Sequence, residues 1–177
     1  MDAKYNRLLV IGRFQPPHLG HVNLVEYALS LAQEVIVVIG SAQDSFSLKN
    51  PLTAGERFYL LDKIFRERFG NDYYRRVKIV PVMDINMNKV WVRYLEMLLP
   101  PFEGVVSRNP LVKELFLDAG YTVVEQPMFE REKCEGTKIR ERVLSGEDWT
   151  LCIPEEIKKD LEKLGFTQRL INLSNKD

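Results

Sequence analysis

The chain has two histidines and two cysteines in 177 residues, and its 25 basic side chains are balanced by 25 acidic ones, leaving no net charge. Each shortage excludes something. Without a positive excess there is no overall field to draw in nucleic acid or an anionic membrane surface, so any anion site has to be a local cluster. No apolar run is long enough to span a bilayer. The opening residues Met1 to Arg7 lack the apolar core and small-residue cleavage site of a secretion signal. Cys134 and Cys152 show neither metal-ligand nor redox-pair spacing; they give no support for a structural disulfide and suit a reducing cytoplasm. There is no internal repeat, low-complexity tract or linker to mark a domain boundary.

What is present reads as one α/β domain over residues 1–177, with an ordinary balance of 45% hydrophobic and 28% charged residues. Strand and helix patterns alternate five times. The first strand ends at Gly12 and the first helix runs from Leu19 to Gln33. Glu34 to Gly40 is a β-branched run suited to a strand buried on both faces of a parallel sheet. Ser41 to Pro51 is polar and unusually long for a loop joining strand to helix, and long loops at that place tend to be functional. Thr53 and Glu56 form a capping box that opens a helix to about Phe69. Further strands are predicted over Val77 to Met83, Phe102 to Ser107 and Tyr121 to Glu125. Between them lie a helix carrying Trp91, Leu95 and Leu98 and another that starts with Pro110 at its first position. Gln126 to Glu135 is a loop containing Pro127, Met128 and Phe129. One helix follows from Gly136, a last one runs from Pro154 to Gly165, and the polar tail from Ser174 reads as frayed. This rhythm is that of an open, doubly wound parallel sheet with helices added at the C-terminal end, its ligand cleft beyond the carboxyl ends of the strands.

Both histidines fall in one stretch, Gly12-Arg13-Phe14-Gln15-Pro16-Pro17-His18-Leu19-Gly20-His21. Three residues apart at the start of a helix, His18 and His21 share one side of its N-terminus, where unpaired backbone N–H groups and the positive end of the helix dipole favour an anion. A lone histidine is most often a surface or satisfied core residue, but here two imidazoles and the Arg13 guanidinium converge on one loop. A second cluster, Gly136-Thr137-Lys138-Ile139-Arg140, repeats the arrangement: Arg140 lies three residues beyond Thr137 on the same side of a first helical turn. Such donors suit phosphate. An attacking phosphate is already an anion and needs no general base, only alignment and neutralised charge at the reacting phosphorus. One donor aimed at developing charge is typically worth ~3 kcal/mol.

The string from Gly12 to His21 resembles the HxGH nucleotidyltransferases, and specifically the archaeal type of nicotinamide mononucleotide (NMN) adenylyltransferase. The resemblance extends to Ser41-Ala42-Gln43 and to Lys49 through Arg57, and it implies a Rossmann-like fold and condensation of ATP with NMN to NAD and pyrophosphate. It implies catalytic roles for His18, His21, Arg140, Arg13 and Lys49. ATP would be bound by Gly12, Arg13, Phe14, Gln15, His18, Gly20, His21, Ser107, Asn109, Thr137, Ile139 and Arg140, with backbone at 107–109 reading adenine. Asp84, Ile85, Asn88, Trp91 and Val92 match the family string whose tryptophan stacks on the pyridine ring. On helical spacing alone Trp91 is a core residue; the resemblance implies that Ser41, Gln43, Asp84, Asn88 and Trp91 bind NMN. Mg²⁺ would be held mainly by ATP phosphates and water, with no protein metal ligand. Glu135 and Arg108 stand where relatives often carry small residues. Other acceptors, nicotinic acid mononucleotide or flavin mononucleotide (FMN), and a non-catalytic NAD or ATP sensor remain alternatives. The family further implies a homohexamer, with neither nucleic acid nor membrane as partner.

Overall fold

A computed structural model describes residues 3–127 and 134–175. Its centre is a parallel sheet in the order β3-β2-β1-β4-β5, with β1 Tyr5–Gly12, β2 Ala32–Ile39, β3 Val77–Pro81, β4 Gly104–Val106 and β5 Thr122–Val124. The chain builds outward from β1 in one direction through β2 and β3. It then crosses back to lay β4 and β5 on the other side, as a doubly wound sheet does. The order therefore reverses between β1 and β4, the place where such sheets open a crevice at their carboxyl ends.

The β-branched runs fill both faces. Leu8, Val10, Val35, Val37 and Ile39 pack with α1 (Leu19–Leu31) and α2 (Ala54–Phe69). The same face meets three C-terminal helices, α6 (Gly136–Ser145), α7 (Lys158–Lys163) and α8 (Phe166–Ser174). Leu9, Ile36, Val38 and Val105 face the opposite layer, which contains α4 (Trp91–Leu98) and α5 (Pro110–Asp118). Successive side chains of a strand point to opposite faces, so this partition follows from the two-residue period. The predicted α2 is confirmed with its cap: Thr53 Oγ1 accepts from the Glu56 N–H at 3.0 Å and the Glu56 carboxylate accepts from the Thr53 N–H at 2.9 Å.

Four expectations need correction. The first helix ends at Leu31 rather than Gln33 and β2 starts at once. Arg76, at the end of α3 (Asn71–Arg76), takes up carbonyls at that junction, donating to Ala32 at 2.9 Å and Gln33 at 3.0 Å, so no separate linker is needed. The last two strands pair over fewer residues than their apolar runs, β4 and β5 over three each. Gly165 does not end the last helix. At φ 67° it reverses the chain and leads directly into α8, whose Phe166 and Leu170 are fully buried. Finally, Cys134 and Cys152 form a disulfide, with Cα atoms 5.3 Å apart. The two cysteines meet because the segment entering α6 lies beside the 3-10 turn Thr150–Cys152, a tertiary adjacency that no spacing rule encodes. Met128 and Phe129, read as loop, lie outside the described residues.

The bridge closes a loop with a sequence separation of 18. Replacing Cys152 with Ala is expected to lower the unfolding free energy by about 3 kcal/mol. Denaturant titration with and without reductant measures this; equal stability of both forms would contradict it.

Candidate active site

The crevice is built from loops that leave β1, β2 and β4. After Gly12 the chain turns inward at Phe14, whose φ of 54° is rare for a residue with a side chain. Its ring drops into the core against His21, with centroids 4.5 Å apart. His18 is the N-cap of α1 and His21 its third residue, and the two imidazoles stack at 3.6 Å. The His18 backbone N–H donates to His21 Nδ1 at 3.2 Å, which leaves the proton of the neutral ring on Nε2. Gly20 suits this packing: a Cβ there would lie 3.0 Å from both Cε1 and Nδ1 of His18, so the imidazole would have to give way.

Arg140 reaches the same place from the other end of the chain. Its Nη1 donates to the Gln15 carbonyl at 2.7 Å and its Nη2 to Thr137 Oγ1 at 3.3 Å. One cavity of about 140 Å³ is lined by Arg13, Phe14, Gln15, His18 and His21 from the first loop and by Glu135, Gly136, Thr137 and Arg140 from the start of α6. Charge is concentrated there despite the neutral total. Burial and then the neighbouring Arg13 guanidinium lower the pKa of Arg140. Arg57 behind it is pushed down to about 10 by burial first and Arg13 second. Arg13 is thus close enough to oppose the charge of two other guanidiniums, a crowding that an anion relieves. Glu135, the carboxylate at this cavity, lies 3.8 Å from Lys138 Nζ in the same helical turn.

A second cluster sits at the end of β2. Ser41, in the left-handed region at φ 49°, donates through its N–H at 3.2 Å and its hydroxyl at 2.6 Å to the Asp84 carboxylate. The Asp84 N–H donates to Gln43 Oε1 at 2.9 Å. The two clusters are adjoining, since the Gly40 N–H donates to the Gly12 carbonyl at 2.8 Å.

Other site residues anticipated from sequence occupy different positions. The Gln15 side chain pairs with the Leu52 backbone, donating at 2.8 Å and accepting at 2.9 Å, and Ile139 is wholly buried, so each can offer a ligand backbone only. Ser107 Oγ accepts from the Asn109 N–H and Asn109 Oδ1 caps α5 at Val112, which commits both side chains to the turn. Lys49 is exposed on the long loop and is not among the residues that line the cavity. Asn88 is exposed at the head of a 3-10 turn, and Trp91 is half-buried, edge-on to Phe116 at 5.9 Å.

Two residues with no individual reading in the sequence organise the site. Asn50, only 4% exposed, accepts from Arg13 Nη1 at 3.3 Å. Arg57, fully buried, ties several loops together. A signal for Arg57 existed, since it falls on the stripe of Leu60, Leu61, Ile64 and Phe65 that α2 buries.

Residues 9–142 match the family model described as cytidylyltransferase-like. The chain is 53% identical over 168 residues to the nicotinamide-nucleotide adenylyltransferase of Aeropyrum pernix, covering 94% of this chain and 96% of that one. It is 44% identical to the enzyme of that name from Ignicoccus hospitalis, covering 97% and 99%. The chain belongs to the archaeal nicotinamide-nucleotide adenylyltransferase family. The fold is shared more widely. A bifunctional NMN adenylyltransferase/ADP ribose pyrophosphatase from Francisella tularensis superposes with a TM-score of 0.78 at 21% identity, and this chain covers 52% of that one's length.

Gly136 shows how tightly the donors are set. A Cβ there would lie 3.2 Å from both Arg140 Nη1 and the Gln15 carbonyl oxygen. Gly136→Ala is expected to displace the guanidinium and weaken ATP binding about tenfold or more, as measured by calorimetry, with little change in melting temperature.

Proposed function

We propose that the protein transfers the adenylyl group of ATP to NMN, giving NAD and pyrophosphate, and that the whole chain acts as one nucleotidyltransferase unit. The observation that carries this reading is the single cavity shared by the two imidazoles from residues 18–21 and the Thr137–Arg140 pair from α6. A phosphate oxygen of NMN attacks the α-phosphorus directly. As the new P–O bond forms, the bond to the bridging oxygen breaks, and pyrophosphate leaves with that electron pair.

The side chains bind and neutralise. His21, its Nδ1 occupied by the His18 N–H, donates from Nε2 to a phosphate oxygen, and His18 stacked on it lies beside the same group. Arg140 and Arg13 hold the oxygens on which charge develops, and Thr137 fixes Arg140. The N-termini of α1 and α6 add backbone donors, Gly12 and Gly20 among the residues that let phosphate approach. Lys49 reaches the departing phosphates from the exposed loop. Backbone at Ser107 and Asn109 reads adenine, since their side chains are committed to the turn. Ser41, Gln43 and Asp84 receive the mononucleotide, with Asn88 at the carboxamide and Trp91 against the pyridinium, a pairing of cation with indole face.

A divalent cation, Mg²⁺, accompanies ATP. Among the described residues no group of three or more His, Cys, Asp or Glu side chains could hold a metal ion, and the donor set at the cavity is mainly cationic. Phosphate oxygens and water would hold Mg²⁺, as suits an ion that keeps much of its hydration shell, and it would neutralise phosphate charge. No helix among the described residues is long and apolar enough to cross a membrane. A cytoplasmic location and assembly as a homohexamer complete the proposal.

His21→Ala is expected to lower turnover by about 10² or more with the fold intact, read as pyrophosphate release beside an unchanged melting curve. Unaltered turnover would remove His21 from the mechanism. Incubation with ATP and each of NMN, nicotinic acid mononucleotide and FMN, followed by weighing of the products, is expected to give NAD as the main dinucleotide. NAD binding with no product in any mixture would instead favour a sensor.

A further inference from the structure

Arg57 lines neither ligand position, yet it grips the loops that form both. Its Nη1 donates to the carbonyls of Arg13 at 2.8 Å and Gly40 at 2.7 Å, its Nη2 to Ser41 at 3.0 Å and its Nε to Thr53 at 3.2 Å. Those carbonyls belong to the loop after β1, which carries Arg13 into the cavity, to the end of β2, where Ser41 meets Asp84, and to the N-cap of α2, where the Lys49 loop closes. The side chain has no exposed surface; without its fork the half-buried Arg13 and Gly40 carbonyls would lose this donor, and the Ser41 and Thr53 carbonyls would keep only the backbone N–H groups of Asp44 and Arg57. The planar guanidinium matters, because a lysine ammonium is a point donor and cannot span carbonyls from three segments at once.

We propose that Arg57 is a positioning residue that couples the two subsites, so that ATP at the cavity and NMN at the Ser41–Asp84 cluster each strengthen the binding of the other. This inference rests on the assignment of those subsites given above. The link is electrostatic as well as mechanical. Arg13 opposes the charge of Arg57, while Asp84 and Asp44 support it. A polyphosphate beside Arg13 offsets that opposition, tightens the grip of Arg57 on the Gly40 and Ser41 carbonyls, and holds Ser41 in its left-handed conformation toward Asp84. Linkage makes the effect reciprocal.

Calorimetry on the full chain tests it, using NMN with and without saturating α,β-methylene ATP. The wild type is expected to bind NMN about fivefold or more tightly with the analogue present. In Arg57→Lys that ratio is expected to fall to about one while each ligand still binds. An unchanged ratio in Arg57→Lys overturns the role however much stability is lost, and so does a wild type that binds both ligands independently. A wild type that never binds NMN overturns the subsite assignment and the inference with it. Should Arg57→Lys not fold, hydrogen exchange on the wild type decides. The analogue alone is expected to slow exchange at the Ala42 and Asp44 amides, and protection confined to the loop after β1 overturns the coupling.

Discussion

A buried positive charge surrounded by backbone oxygen is the constraint on which this site depends. Taking a guanidinium out of water is costly, and here it is tolerated because carbonyls of Arg13, Gly40, Ser41 and Thr53 replace the lost hydration. Sheet pairing brings β1 and β2 side by side in register, with Gly12 opposite Ile39, but it does not determine where the chain goes once the ladder ends. Arg57 contributes to that. Beyond the Gly40 N–H bond to the Gly12 carbonyl, it binds the two loops to one rigid, planar group, and the left-handed backbone at Ser41 has the guanidinium on its carbonyl and Asp84 on its N–H and hydroxyl.

Around that anchor a chain with no net charge gathers a local excess of positive groups. Arg13 lowers the proton affinity of both Arg57 and Arg140, and the N-termini of α1 and α6 point partial positive charge at the same cavity. Apart from Glu135 at the cavity rim, many of the balancing carboxylates are paired elsewhere. Asp160 pairs with Lys63, Glu34 with Arg7, and Glu56 with Arg169, each outside the cavity. Segregation of charge, and not its sum, is what makes a phosphate site possible in such a protein.

Much of this was legible in the sequence, and the exceptions share a cause. The strands, the Thr53–Glu56 cap, the convergence of His18 with His21 and the likeness of the Thr137–Arg140 turn to it are all local patterns, set by residues within a few positions of each other. What escaped was tertiary. The Cys134–Cys152 bridge depends on how α6 lies against the turn at 150–152. The Gln15 side chain reads as a ligand contact until Leu52, 37 residues away, takes both of its hydrogen-bonding atoms. Gly165 is a fair stop signal, and only the burial of Phe166 and Leu170 shows that the chain turns there and continues as helix. Arg57 escaped because an arginine on a helix is ordinarily solvated, although its place on a buried stripe argued otherwise.

The end of the fold acts on its beginning. From α8, Arg169 makes a two-point ion pair with Glu56 at 2.7 and 2.9 Å, donates to the Pro51 carbonyl at 3.0 Å, and lies 4.4 Å over the Phe46 ring. The long loop after β2 is thus fastened by a helix that emerges from the ribosome more than a hundred residues later. The five strands are complete by Val124, so the sheet's whole sequence precedes Arg169, and the loop that carries Lys49 gains its last fastening only from the final helix.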